Sequence, residues 1–406
     1  MQAGKQRMKG GDVYSKGFGR RCAGRIQQRA PWWVAVLAVS GLVLAPGAHA
    51  LPFGAFDART LAMGGVGVAT GSRYAAFNNP ALLTTADEIH EWFMLVPTVG
   101  RQLGDPDKVD DGLTAFQDAA DTLDAAPTAG NAAAVQARLD ALTDTQYRYG
   151  HNAAVMLAIP SRILSGAAFV NVYGYSTARP IIGGDDVTSD PANPVYNSTL
   201  EQRGVRVLEN GFAAAKVLED EKGWLADVAI GFSAKFLLVE GYGYSDPLRL
   251  AQVDIDRSGR KNGAQFAFDV GVLKEIGVWK LALTAKNLVP GRYDYGTSGD
   301  KFKLDPQLRA GFAYKSRRSV LELDLDLSEN APIGADSASQ IVALGWEWQP
   351  WRWLILRAGF NHNLTGTEAS YGSLGLGVLM GIIYIDAAAY TGDEGDGVAA
   401  QLNLQF

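Results

Sequence analysis

The chain has 406 residues, of which 47% are hydrophobic, 10% are aromatic and 47 are glycine. This composition suits closely packed strands with many turns better than a helical protein. The formal net charge is −6, and removal of the first 50 residues, with eight basic residues and one acidic residue, takes it to −13. Such an acidic chain argues against nucleic acid as a partner.

A secretory signal peptide is predicted at residues 1–50. A basic lead precedes an apolar stretch from Trp32 to Leu44, and Ala48-His49-Ala50 forms an A-x-A cleavage site. An uncleaved membrane anchor is the alternative, but the apolar stretch is shorter than the ~20 residues that a spanning helix needs. Cys22, the only cysteine, lies in this segment. The mature chain therefore offers no thiol for a disulfide, a metal site or a nucleophile.

Residues 51–90 are rich in Gly and Ala and fit neither a long helix nor alternating strands. They contain A-M-G-G-V-G-V-A at 62–69 and F-N-N-P-A-L-L at 77–83. Asn79-Pro80 is a turn former. A phosphate-binding loop is excluded here, because no Gly-Lys-Ser/Thr follows the glycines.

A helical insertion is predicted at about residues 105–147, after a first strand at 91–100. Apolar residues recur there at helical spacing in two segments, which Pro127 to Gly130 separates. The sequence thus predicts an acidic helical hairpin. Two roles stay open for it, namely a surface insertion or a cover over a pore.

From Gly150 onward, apolar and polar residues alternate with the period of a strand. Val320 to Leu327, for example, sets four leucines against Glu322, Asp324 and Asp326. About fourteen such strands can be placed, and their connections alternate between long and very short. A soluble sandwich also alternates, but this rhythm of connections favours an all-β, transmembrane antiparallel barrel over residues 91–406.

The last strand, Gly397 to Phe406, is predicted to close the barrel against the first strand near Glu91. Its alternation assigns Leu402, Leu404 and Phe406 to the lipid side, and Gln401, Asn403 and Gln405 to the lumen. Aromatic residues near strand ends predict two interfacial bands. Those at the short turns are Trp346, Trp348, Trp351 and Trp353, and those toward the long loops are Tyr173, Tyr175, Tyr242, Tyr244 and Tyr390.

The inward positions carry charges, and charges inside a barrel must pair or contact water. The predicted lumen-facing charged residues are Lys280, Lys286, Arg309, Glu322, Asp324, Asp326, Glu347 and Arg357. One interpretation is a ladder of ion pairs that rigidifies a narrow lumen, with Arg309 and Glu322 as cross-strand neighbours. The other is a polar pathway or a ligand contact.

Several motifs resemble one family. R-x-L-A-M-G-G-x-G-V-A at 59–69, N-P-A-L-L at 79–83, L-R-A-G-F-A-Y at 308–314 and D-L-D-L at 324–327 are similar to those of the conjugal transfer TraF-like family (F plasmid transfer operon TraF), a relative of the FadL/TodX-type outer-membrane channels. The resemblance implies a bacterial outer-membrane barrel with residues 51–90 folded inside as a hatch centred on Asn79, Pro80 and Ala81. It also implies a channel for hydrophobic small molecules. The alternative is a non-transporting scaffold of a conjugation or secretion apparatus.

No nucleophile–base–acid motif and no set of metal ligands is evident, so neither an enzyme nor a cofactor is expected. The expected partners are the lipid bilayer, lipopolysaccharide and a hydrophobic ligand or envelope proteins. An aromatic last residue such as Phe406 resembles the signal that the outer-membrane assembly machinery reads.

Overall fold

The computed structural model describes residues 57–71, 76–85, 93–105, 108–159, 164–183, 191–218, 223, 225–253, 259–296, 299–365, 370–392 and 395–405. The predicted signal peptide, Glu91 and Phe406 lie outside these residues. The strands are β1 Phe93–Gly104, β2 Tyr147–Ile159, β3 Ser165–Ile181, β4 Thr199–Leu218, β5 Val228–Pro247, β6 Lys261–Ile276, β7 Trp279–Lys286, β8 Gly291–Asp294, β9 Lys301–Leu304, β10 Gln307–Lys315, β11 Ser319–Asp326, β12 Ile341–Trp351, β13 Leu354–Asn363, β14 Tyr371–Met380, β15 Ile383–Gly392 and β16 Gly395–Gln405.

Fourteen of these strands close into one antiparallel barrel. Each strand pairs with its neighbour in the chain, β7 pairs with β10, and β16 pairs with β1. The closing register places Phe93 opposite Gln405. The barrel of about fourteen strands predicted from the period-two pattern is therefore confirmed, and closure leaves no unpaired sheet edge.

The remaining two strands, β8 and β9, form a separate two-stranded sheet within the β7–β10 connection. The alternation of long and short connections predicted only a long connection there. Each of these strands has only four residues, far fewer than the runs of about ten that mark the strands of a membrane barrel. Its rings pack against the barrel wall where β5 and β6 carry glycine, Phe302 beside Gly241 and Tyr293 beside Gly263.

Connections alternate in length around the barrel. One end has short turns, such as 277–278, 316–318 and 381–382, and the other has longer segments, such as 105–146 and 327–340. The wall is uneven in height. Strands β3 to β6 have 16 to 20 residues, whereas β7, β10 and β11 have 8 or 9.

The two faces of the wall differ as the alternation predicts. On β16, Gln401 and Asn403 are buried, and Leu402 and Leu404 are partly exposed on the outer face. The tryptophans at the short-turn end are exposed and stack in pairs, Trp346 on Trp348 and Trp351 on Trp353.

The band of tyrosines predicted at the long-loop end is partly wrong. Tyr173 and Tyr175 share the inward parity of Asn171, which is fully buried, and both pack on the lumen side. Tyr390 shares the parity of buried Ala388 and packs in the same cluster as that residue. Position along a strand sets the height of a side chain, but its parity sets the face, so the height of these tyrosines did not determine the side on which they lie.

The predicted helical hairpin is present as α2, Val109–Ala125, and α3, Ala129–Leu142. Its apolar seam, which includes Phe116 and Leu139, packs on Leu200 and Leu248 of the neighbouring loop ends. Burial, with Asp124 beside it, raises the pKa of the loop residue Tyr196 to about 12, so its hydroxyl stays protonated and donates to Asp124 at 3.2 Å. Within the described ranges, no helix is both long and apolar enough to cross a membrane.

Candidate functional site

A plug made of residues 57–71 and 76–85 lies inside the barrel. It begins with α1, Ala58–Ala62, whose N-cap Asp57 accepts from the Thr60 amide at 2.8 Å. A 3₁₀ helix follows at Pro80–Thr84, and its N-cap Asn79 accepts from the Ala81 amide at 3.0 Å. Both caps satisfy amides that a short helix leaves unpaired.

Two carboxylates on β11 hold the middle of the plug by its backbone. Asp324 Oδ2 accepts from the amides of Gly67 and Val68 at 2.8 and 3.1 Å. Glu322 Oε1 accepts from the next two amides, Ala69 and Thr70, at 2.7 and 3.0 Å. Both acids are buried, so each is compensated by charge-assisted hydrogen bonds rather than by water.

A chain of alternating charges joins the plug to the wall. Arg59 on α1 donates to Glu347 Oε2 at 3.0 Å, and Arg357 on β13 donates to the same oxygen at 2.7 Å. Arg357 also pairs with Asp386 at 2.5 Å and donates to the Tyr384 hydroxyl at 2.6 Å. The predicted lumen residues Glu347 and Arg357 thus lie in one network with a plug residue.

Arg309 pairs with Asp326 at 2.5 Å and also donates to the Gly65 carbonyl at 3.3 Å. The proposed pairing of Arg309 with Glu322 is wrong. The β10–β11 register sets Asp326 opposite Arg309 and Ala313 opposite Glu322. Partner choice depends on register, which the alternation of faces does not determine.

Glycines in the wall let the plug approach the strands closely. A methyl group at Gly359 would overlap the backbone of Met63 and Gly64, and one at Gly231 would overlap that of Pro80 and Ala81. The wall glycines in contact with the plug are Gly231, Gly271, Gly311, Gly345, Gly359 and Gly375. These positions form a socket that larger side chains would obstruct.

The three predicted hatch residues lie against β5 and β6. Asn79 Nδ2 donates to the carbonyls of Val68 at 2.9 Å and Val272 at 3.4 Å, and Ala81 packs with Ala229 and Leu273. On the side of β2 to β4, Phe77 meets Phe169 edge-on at 5.0 Å. This part of the plug therefore contacts neighbouring strands on one side of the lumen, from β2 to β6.

A second polar cluster lies on the inward positions of β4, β5 and β6. Lys235 Nζ is 3.3 Å from Glu209 and 3.0 Å from Asp269, and it donates to Asn287 Oδ1 at 2.9 Å. Asn171 donates to Glu209 at 3.0 Å. This cluster is absent from the predicted site residues. Opposite charges at inward positions of neighbouring strands were the signal that could have found it.

Both lysines that were predicted to face the lumen, Lys280 and Lys286, are buried on β7. Lys280 pairs with Glu275 near the short-turn end. Lys286 is buried on β7, close enough to Lys235 and Asp269 to interact with them electrostatically. In the described part of the chain, no group of three or more His, Cys, Asp or Glu is arranged to hold a metal ion.

Beyond this cluster, toward the long loops, the lumen becomes apolar. Val205 and Val207 on β4 and Leu237 and Val239 on β5 are buried there. The β8–β9 hairpin and nearby loops cover them with Tyr295, Phe302, Leu304 and Ile333. The inward positions of β5 thus pass from plug contact at Gly231 through charge at Lys235 to an apolar layer.

Comparison with known proteins gives one family and a set of similar folds. The family described as "F plasmid transfer operon, TraF, protein" matches residues 76–326. No curated protein matches the chain significantly.

Three solved structures illustrate the likeness in fold. One is a Pseudomonas aeruginosa FadL homologue, which is 11% identical with a TM-score of 0.54. The match covers 89% of this chain and 99% of that one. Another is a deltaS2S3 mutant of the TodX monoaromatic hydrocarbon channel, which is 12% identical with a TM-score of 0.52. The match covers 86% of this chain and 97% of that one. The third is the CymD monoaromatic hydrocarbon channel, which is 11% identical with a TM-score of 0.51. The match covers 88% of this chain and 98% of that one. At these identities the likeness shows a shared FadL/TodX-type fold.

Proposed function

The chain belongs to the F plasmid transfer operon TraF protein family, and we propose that it is an outer-membrane channel for hydrophobic small molecules. The outer face of the barrel supports the membrane location, since large hydrophobic side chains are exposed on strands all around it. Two of the similar structures are described as monoaromatic hydrocarbon channels. Export through a signal peptide at residues 1–50 is part of the proposal.

The apolar layer of the lumen is the observation that carries this proposal. A barrel that passes ions or sugars has a polar, water-filled interior. Here Val205, Val207, Leu237 and Val239 face inward above the charged cluster. Phe302 and Leu304 of the β8–β9 hairpin cover this surface, so a ligand binds it by taking their place. An apolar ligand then gains by leaving water, whereas a polar solute gains nothing there.

The plug decides where a ligand stops on its way inward. On β5 it contacts Gly231, closer to the short turns than Lys235, and its contacts reach β2 to β4 on one side and β13 to β16 on the other. A molecule moving down the lumen therefore meets the charged cluster and then the plug. We propose that the apolar layer is the binding site and that passage beyond it depends on plug movement or on exit through the wall.

Binding of a fluorescent fatty acid to purified protein in detergent tests the proposal. The double variant Val207→Thr/Val239→Thr adds two hydroxyls to the apolar layer with little change in volume. Since an unpaired buried hydroxyl costs about 1–3 kcal/mol, we expect affinity to fall by about tenfold or more.

Val320→Thr is the matched control, because Val320 packs against the plug residues Met63 and Val66 and lies away from the apolar layer. It should leave ligand affinity unchanged. Absence of any saturable binding, or equal loss in both variants, would overturn the proposed binding site. Unchanged uptake of hydrophobic compounds in a deletion strain would overturn the channel role.

A further inference from the structure

The outer face of β1 to β6 carries a row of polar residues that the channel role does not use. Backbone pairing places Arg101 opposite His151, His151 opposite Gly174, and Gly174 opposite Arg206. The same row continues through Glu240 to Asn262. All of these positions share the parity of exposed outer-face residues such as Val99 and Phe212.

Closer to the short turns than this row, the outer surface of the same strands is apolar. Two residues closer to the short turns, the same strands carry Val99, Ala153, Val172, Leu208, Leu238 and Ala264. In an outer-membrane barrel, the polar row therefore lies at the headgroup level of the outer leaflet. This placement rests on the membrane location proposed above.

Positive charge exceeds negative charge in this row. Arg206 and Arg260 both lie near Glu240, at 3.9 and 3.3 Å, so a single carboxylate faces two guanidinium groups. Arg101 is exposed and lies over the Tyr149 ring at 5.5 Å. Asp396, opposite Leu103, is an exposed acid one step higher on β16.

The basic residues are confined to one side of the barrel. At the same end, the outer face of β12 to β15 carries Val342, His362, Gly372 and Thr391. That of β7, β10 and β11 carries Ala285, Leu308 and Leu325. A general interfacial ring of Lys and Arg would surround the barrel, so the one-sided cluster indicates a specific ligand.

Gly174 leaves room at the centre of the row. The His151 ring lies over this glycine, where any side chain at 174 would collide with it. His151 Nδ1 has no hydrogen-bond partner among the described residues. Arg101 and Arg206 flank this position three strands apart, or about 14 Å at the usual strand spacing. This distance is too long for both arginines to contact one phosphate, and it suits a headgroup that carries two phosphates.

We propose that Arg101, His151 and Arg206 bind the two phosphates of a bisphosphorylated glycolipid, the headgroup chemistry of lipopolysaccharide. Guanidinium groups supply the paired donors that phosphate oxygens accept. Tyr149 and Tyr242 lie beside the cluster as interfacial aromatics. The ligand would lie against β1 to β4 with its acyl chains on the apolar rows below.

Native mass spectrometry of the purified barrel tests this proposal. The probes are a bisphosphorylated glycolipid and its fully dephosphorylated form with identical acyl chains. Each basic residue near anionic headgroups contributes about fivefold to binding, so we expect roughly a 25-fold preference for the phosphorylated probe from two arginines. Arg101→Gln/Arg206→Gln should abolish this preference, and Arg101→Lys/Arg206→Lys should retain much of it.

Arg317→Gln/Arg318→Gln is the matched control, since it removes the same charge from an exposed turn at the opposite end. It should keep the preference. Equal binding of both probes by the parent, or an unchanged preference in the glutamine variant, overturns the proposal. Fatty-acid binding by the same variants separates the two ideas, because loss of glycolipid preference with lumen binding intact concerns the outer face alone. Heat-modifiable migration on gels confirms that each variant is folded.

Discussion

Arg59 in the plug and Glu347 in the barrel wall form an ion pair of 3.0 Å although 288 positions separate them in the chain. Glu347 is shared with Arg357 at 2.7 Å, so one carboxylate bridges two guanidinium groups, and Arg357 also pairs with Asp386. The pair holds α1 against β12 and β13.

Glu347→Ala leaves the two guanidinium groups without this carboxylate in a buried site. We expect a loss of about 3–5 kcal/mol in unfolding free energy, because an uncompensated buried charge is costly. Thermal unfolding in detergent, followed by circular dichroism, measures the effect. The double variant Arg59→Met/Glu347→Ala should lose less unfolding free energy than the sum of the losses in the two single variants. Additive losses would show that the pair is not coupled.

Removal of the Asp324 carboxylate should loosen the plug without opening the barrel. Asp324→Ala takes away the acceptor of the Gly67 and Val68 amides. The expected result is maleimide labelling of an added Val68→Cys in this background and protection in the parent, where Val68 is buried. Thr114→Cys, exposed on α2, should be labelled in both. Equal protection of position 68 in both proteins would contradict this role.

The socket can be tested with a pair of alanine substitutions on neighbouring strands. Gly359→Ala places a methyl group on the backbone of Met63 and Gly64, whereas Gly372→Ala meets no atom within 4 Å. We expect Gly359→Ala to lower the unfolding free energy by about 1–3 kcal/mol through overpacking, and Gly372→Ala to have little effect. Similar melting temperatures for the two variants would show that the plug does not press on this wall.

A charged residue on the outer face should destabilise the inserted barrel most near the middle of the membrane. Leu344 on β12 is exposed on that face, and a lysine near mid-membrane costs about 2–4 kcal/mol in a barrel. Leu344→Lys should therefore reduce the yield of folded, membrane-inserted barrel. Thr114→Lys on the exposed hairpin is the control. Normal insertion of Leu344→Lys would place this face outside the membrane.

The faces of the wall could be read from the sequence, but the partners could not. Alternation alone placed Glu322, Asp324 and Arg357 on the lumen side, because a strand allows only two faces. The pairing of Arg309 with Asp326 depended on register, which a one-residue change in the turn at 316–318 would shift. The contacts of the plug also could not be predicted from the sequence, since nothing within residues 57–71 identifies β11 as their partner.

The order of the contacts along the chain has a consequence for folding. The Ala58 amide donates to Gln401 at 3.1 Å across 343 positions, so the first described segment is completed by the last strand. Contacts of such long range form late and slow the search for the native state. Once β16 has paired with β1, the socket is enclosed on every side. We therefore expect the plug to take its position before the barrel closes, with both ends of the chain held together until the final pairing.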